Sequence, residues 1–179
     1  MPQLAQERGG AKDCRKGVVG GTFSLLHRGH RHLLSFAALH SERLVVGVTS
    51  DEYVKARKTH PVEPFELRAL AVLLFVKTVD PGVSVEVVPI DDAYGPAIAD
   101  AEVDCIFVSE ETLLGALAVN LVRRLRGFSA LTIYVVDTVP HASGERLSST
   151  LLWRQLAAYS APRELDNQRH ENDPQAQHR

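Results

Sequence analysis

The chain has 179 residues, the length of a single domain with room for tails, and its 45% apolar and 23% charged residues are an ordinary globular balance. Twenty basic against 22 acidic residues leave a net charge of -2, which argues against a broad nucleic-acid surface while allowing a local basic pocket. No apolar run reaches the ~20 residues of a membrane helix, the opening MPQLAQERGGAKDCRK lacks the apolar stretch of a signal peptide, and Cys14 and Cys105 have neither metal-ligand nor redox spacing. A disulfide scaffold is therefore not expected, and the expected location is a reducing cytoplasm.

In chain order, residues 1–16 are polar and read as a flexible leader. Residues 17–21 (GVVGG) read as a buried strand running into a glycine turn. Residues 29–39 read as a helix with Leu33, Leu34, Ala37 and Ala38 on one face. Residues 44–48 (LVVGV) form a second predicted strand, followed by a loop that carries Lys55, Arg57 and Lys58. Pro64 suits the first turn of a helix whose apolar stripe continues through Leu67, Leu70, Ala71 and Leu74. Residues 83–90 and 105–108 are the third and fourth predicted strands. Leu113, Leu117, Leu121 and Leu125 step by four along the next helix, which Gly127 stops. Residues 131–136 are a fifth strand and residues 149–159 a last helix. Residues 160–179 hold only Ala161, Leu165 and Ala176 from the apolar set, too little to offset ordering entropy, and are expected to be a disordered tail. The folded domain is thus expected over residues 17–159.

Strands alternating with helices predict an α/β fold, a doubly wound and mostly parallel five-stranded sheet covered on both faces. Ligands of such sheets bind beyond the carboxyl ends of the strands, where strand order reverses. The segments that follow each strand therefore carry the chemistry.

After the first strand comes GGTFSLLHRGH, residues 20–30. Gly20 and Gly21 let the backbone approach a ligand closely. Thr22 offers a hydroxyl, and His27 and His30 flank Gly29 at a helix entrance, where free N–H groups and the dipole attract anions. The pattern points to phosphate binding over two plainer readings, a glycine turn with surface histidines or half a zinc site; no Cys or third His stands at matching spacing. After the third strand, Asp91, Asp92 and Tyr94 either help position Mg²⁺ waters or a substrate amide, or form an Asx turn. Asn120 and Arg124 share a helical face with Arg123 close by, while Arg126 reads as ordinary polar surface. Ser148, Ser149 and Thr150 open a helix with hydroxyls suited equally to an N-cap and to a phosphate cradle.

Gly21-Thr22-Phe23 with His27-Arg28-Gly29-His30 resembles the first signature of the nucleotidyltransferases with a Rossmann-like core, and Leu147-Ser148-Ser149-Thr150 resembles the second. The segments Val88–Ala97, Val108–Thr112 with Gly115, Ala116 and Asn120, Gly47–Glu52 with Lys55, and Pro64–Arg68 are similar to the phosphopantetheine adenylyltransferases of the archaeal and eukaryotic type, over about residues 17–157. The resemblance implies a Rossmann-like nucleotidyltransferase fold and transfer of AMP from ATP to 4′-phosphopantetheine, giving dephospho-coenzyme A and pyrophosphate. Mg²⁺ is expected to ride on the ATP phosphates rather than in a protein cage. It implies that His30, Lys55 and Thr22 are catalytic, with Thr22 and Lys55 on the acceptor phosphate and His30 on the α-phosphate. Gly21, Phe23, His27, Gly29, Ser109, Glu110, Asn120, Arg123, Arg124, Ser148, Ser149, Thr150 and Arg154 are expected at the nucleotide, and Asp91, Asp92 and Tyr94 at the acceptor. The expected partners are small molecules, with coenzyme A or dephospho-coenzyme A as product ligand, and neither nucleic acid nor membrane. Two other readings stand beside this one: a nucleotidyltransferase using CTP or a nicotinamide mononucleotide acceptor, and a catalytically weak relative that binds nucleotide or coenzyme A. The chain departs from the family at Ser24-Leu25, where the family has Asp-Pro or Asp-Arg, and at Leu151, Leu152 and Trp153, which delay the next arginine to Arg154.

Overall fold

The β-branched runs become five parallel strands. The computed structural model describes residues 11–137 together with Arg154 and Leu156. Its strands are β1 (Cys14–Gly21), β2 (Ser41–Thr49), β3 (Ser84–Ile90), β4 (Cys105–Ser109) and β5 (Thr132–Val136). They lie in the order β3-β2-β1-β4-β5, and every neighbouring pair is parallel. The chain winds outward from β1 to β3, then returns to the other side of β1 for β4 and β5. The expected doubly wound α/β sheet is present, and it is wholly parallel.

Side chains of a strand alternate between faces, and consecutive valines divide accordingly. Val19, Val46 and Val48 pack with Leu34, Ala37 and Ala38 of α1 (Arg28–His40) and with Val72 and Val76 of α3 (Phe65–Val79). Val18, Val45 and Ile106 pack on the other face with Ala116 and Val119 of α4 (Leu113–Leu125) and with Ala97 of a 3₁₀ turn, Gly95–Ile98. Gly17 is required by this packing, because a Cβ there would stand 2.4 Å from Ser41 Oγ and 2.6 Å from the Phe107 ring.

Several expectations are corrected. β1 begins at Cys14, inside the expected leader, because ladder pairing of Cys14 with Ser41 and Lys16 with Arg43 carries polar residues into the sheet. Lys12 is also tied down, donating to the carbonyls of Ala38 and Ser41 and to Asp80. Cys14 and Cys105 are joined as a disulfide. They are 91 residues apart in sequence, but β1 and β4 are neighbours, so their Cα atoms lie 6.0 Å apart. The expected loop after β2 is instead a short helix, α2 (Asp51–Arg57), whose N-cap Ser50 accepts from the Tyr53 N–H at 3.2 Å.

The leucine stripes face outward. Leu117, Leu121 and Leu125 of α4 are 52%, 60% and 80% exposed, and Leu67, Leu70 and Leu74 of α3 are exposed as well. What α4 buries is Ala116, Val119 and Arg123; what α3 buries is Arg68, Val72 and Val76. The rotation follows from polar satisfaction, since a guanidinium taken from water needs partners for its N–H groups. Arg123 is fully buried and donates to four carbonyls: Ser129 at 2.8 Å, Ala97 at 2.7 Å, Asp100 at 2.8 Å and Val103 at 3.1 Å. Beside it, the Asn120 amide both donates to the Leu131 carbonyl and accepts from the Leu131 N–H, pinning α4 to the start of β5. Asn120 and Arg123 are thus engaged in anchoring the helix.

Residues 1–10, Ser148, Ser149, Thr150, most of the last predicted helix and the tail lie outside the described residues. Arg123→Met leaves buried carbonyls without their donor and is expected to lower stability by about 3 kcal/mol in urea unfolding, with nucleotide affinity of the folded protein unchanged.

Candidate active site

The switch point between β1 and β4 opens a cavity of about 520 Å³. Gly20, Gly21 and Thr22 line it from the end of β1, Thr49 from the end of β2, and Tyr53, Arg57 and Lys58 from α2 and its C-cap. Asp92 and Tyr94 close it beyond β3, and Glu111, Thr112 and Gly115 beyond β4.

The loop leaving this cavity is strained. Phe23, Leu25 and Leu26 have φ of 53°, 58° and 28°, a region that costs L residues about 1–2 kcal/mol each. The loop delivers the chain to His27, which caps α1: its Nδ1 accepts from the Gly29 N–H at 3.1 Å and the His30 N–H at 3.4 Å. A ring nitrogen that accepts carries no proton, so His27 presents its remaining N–H at Nε2. His30 stacks on His27 with ring centroids 3.6 Å apart and meets the edge of the buried Phe23 ring at 5.3 Å. Its Nδ1 is buried and has no hydrogen-bond partner among the described residues. Such a nitrogen at a helix N-terminus is where an incoming anion gains most.

Burial, then the neighbouring His27, then the Lys58 ammonium push the His30 pKa down to about 3. Burial also lowers that of His27. Both rings are therefore neutral at pH 7, each donating from one nitrogen. The cation felt by His30 is Lys58, which also lines the cavity. Lys55, the expected phosphate lysine, is exposed on α2 and not part of the lining. The helix ends at Arg57, and Lys58 follows in extended conformation. Reading this segment as a loop hid the difference between the two positions.

Thr22 lines the cavity, and its hydroxyl oxygen accepts from Thr49 Oγ1 at 3.1 Å. Behind both threonines lies Arg68, 2% exposed. Its guanidinium donates to the carbonyls of Thr22 at 2.9 Å, Thr49 at 2.8 Å and Glu63 at 2.7 Å, and to Asp51 at 2.8 Å. Its signal in the sequence was a basic residue inside an apolar stripe, which the periodicity argument passed over.

The other expected site residues divide. Gly21, Asp92 and Tyr94 line the cavity. Asp92 also forms the Asx turn, accepting from the N–H groups of Tyr94 and Gly95. Asp91 is outside the lining, accepting from the Ser50 hydroxyl at 2.5 Å. Ser109 and Glu110 also fall outside it, with Ser109 bonded to Thr112, and Glu111 and Thr112 stand there instead. Arg124 is exposed on α4, and Arg154 is exposed on a helix.

The model of the cytidylyltransferase-like family matches residues 18–155. A phosphopantetheine adenylyltransferase of Methanopyrus kandleri is 46% identical over 77% of this chain and 88% of its own. The chain belongs to the phosphopantetheine adenylyltransferase family. Another member, from Pyrobaculum aerophilum, is 37% identical over 79% of this chain and 92% of its own. The member from Saccharomyces cerevisiae is also 37% identical, but the chain spans 55% of that protein's length. Among solved structures, an Archaeoglobus fulgidus protein of unknown function is similar at a TM-score of 0.58 and 36% identity, over 68% of this chain and 97% of its own. A Thermus thermophilus pantothenate synthetase, at 0.52 and 21%, over 81% of this chain and 63% of its own, shares the fold alone.

Between pH 6.5 and 3 the unfolded chain binds a proton at His30 that the folded chain does not, so this group's contribution to stability is present above pH 6.5 and lost as pH falls through that window. The expected observation is a His30 Cε1–H resonance that keeps its neutral shift from pH 8 to about 4.5. A titration midpoint near 6.5 contradicts the burial described here.

Proposed function

We propose that this protein transfers AMP from MgATP to 4′-phosphopantetheine, releasing pyrophosphate and dephospho-coenzyme A. The observation that carries the reading is that Thr22 and Lys58 line the cavity beyond the carboxyl end of β1 while the Lys58 ammonium is near enough to act on the buried His30, in a chain of this family. An oxygen of the acceptor phosphate attacks the α-phosphorus in line, a new P–O bond forms, and the bond to pyrophosphate breaks. A phosphate monoester is already nucleophilic near neutral pH, so positioning and charge stabilisation account for the catalysis.

In this reading Thr22 and Lys58 hold the acceptor phosphate, and the apolar wall of the cavity takes the pantetheine arm with Asp92 and Tyr94 at its end. His30 donates a neutral N–H to the α-phosphate, and the Nε2–H of His27 faces the triphosphate. The run Ser148–Thr150 and Arg154 are assigned to the triphosphate on the resemblance of that segment. Mg²⁺ enters as part of the substrate.

Pyrophosphate release with ATP, Mg²⁺ and 4′-phosphopantetheine, set against CTP, nicotinamide mononucleotide and acceptor-free controls, tests the reading; turnover with CTP alone, or saturable binding without turnover, rejects it. His30→Ala is expected to keep the fold and lose about 10²–10³ in kcat, the scale of one transition-state donor. Lys58→Ala is expected to raise KM for 4′-phosphopantetheine about tenfold or more, while Lys55→Ala changes it less than threefold. Equal effects of the two lysines refute the assignment to Lys58.

A further inference from the structure

Glu63 lies in the link between α2 and α3, outside the groups assigned to the reaction. Its carboxylate reaches the loop that follows β1, accepting from the Ser24 hydroxyl at 2.6 Å and from the Leu25 N–H at 2.7 Å. Ser24 is fully buried, and Leu25 is one of the three residues held at positive φ. Glu63 is itself fastened, since its carbonyl accepts from Arg68 Nε at 2.7 Å. Phe23, at the start of the same loop, carries the ring against which His30 rests, and His27 at its end caps α1. A backbone of three non-glycine residues in the left-handed region persists only when its surroundings over-determine it. Hydrogen bonds from a hydroxyl and an N–H to a carboxylate are among the strongest neutral-to-ion contacts available for that task.

We infer that Glu63 is a positioning residue of the phosphate site. It touches no reacting atom; it holds Ser24 and Leu25 so that Phe23 and His27 set the plane and height of the His30 ring. The inference rests on the proposed transfer for its kinetic readout and on geometry for the rest. It also accounts for Ser24: a neutral hydroxyl there is matched by a carboxylate contributed from 39 residues further along the chain.

Glu63→Ala is expected to keep cooperative unfolding, lower kcat about 10-fold to 100-fold and move either KM less than threefold. Glu63→Gln keeps one oxygen for the Leu25 N–H and is expected to fall between wild type and Glu63→Ala. Because Glu63 acts through His30, Glu63→Ala in a His30→Ala background is expected to cost less than threefold further, whereas a merely structural role makes the two losses multiply. Two readouts need no activity: loss of hydrogen-exchange protection at the Leu25 amide, and movement of the His27 and His30 ring resonances. Wild-type kcat with unmoved resonances in Glu63→Ala, or multiplicative losses, overturns the proposal. If Glu63→Ala does not fold, Glu63→Gln is read by the same measures. If the wild-type protein releases no pyrophosphate, the reaction fails on its own account, and the Leu25 amide and ring resonances still decide the role of Glu63.

Discussion

The Arg68 guanidinium is the joint from which the site is built. It is almost wholly removed from water, and its N–H groups find acceptors on four segments: the carbonyls of Thr22, Thr49 and Glu63, and the Asp51 carboxylate. A buried charge of this kind is strongly destabilising if left unpaired and tolerable when fully bonded. Those acceptors come together only when β1, β2, α2 and α3 are assembled. Arg68 therefore makes the ends of β1 and β2, the helix that leads to Lys58 and the link that carries Glu63 into one cooperative unit. Asp51 extends the joint by accepting from the Phe65 N–H at 2.9 Å, which fixes where α3 begins.

On this frame the candidate phosphate site combines neutral donors with two cations of the cavity lining, Arg57 and Lys58. Desolvation keeps His30 uncharged, and the Nδ1 of His27 is committed to capping α1. Neutral imidazoles beside a helix N-terminus suit a ligand that brings its own negative charge and counter-ion, because they donate without an added desolvation cost for imidazolium. Lys58 and Arg57 bring positive charge to the cavity. The cavity next to this site is largely apolar in its walls, with Val18, Val19, Ile106 and Val108 among the lining, so the phosphate end and the arm end of an acceptor meet different chemistry within one crevice.

Much of the candidate site was legible. Gly21 and Thr22 line the cavity at the carboxyl end of β1, and His27 and His30 stand at the entrance of α1, as the glycine turn and the helix entrance required. Four corrections share one cause. The leucines of α3 and α4 face outward, Asn120 and Arg123 anchor a helix, Lys58 replaces Lys55 at the cavity, and Cys14 meets Cys105. In each case the deciding partner is distant in sequence: a carbonyl at the end of another strand, the Leu131 backbone, the His30 ring, a cysteine 91 residues away. Hydrophobic periodicity ranks residues by apolarity alone. It has no means of recognising that a buried arginine with several acceptors outweighs a leucine in setting how a helix is turned.

The amino-acid sequence by itself determined the alternation of strands and helices, hence the parallel sheet, and the placing of a phosphate-binding turn after β1, because these depend on local runs, glycine freedom and helix entrances. Only the tertiary structure decided the rotation of α3 and α4, which of two lysines three residues apart lines the cavity, and the tie between Glu63 and the loop at Ser24. Those depend on which buried polar groups find partners, and that is settled only when segments far apart in the chain are brought side by side.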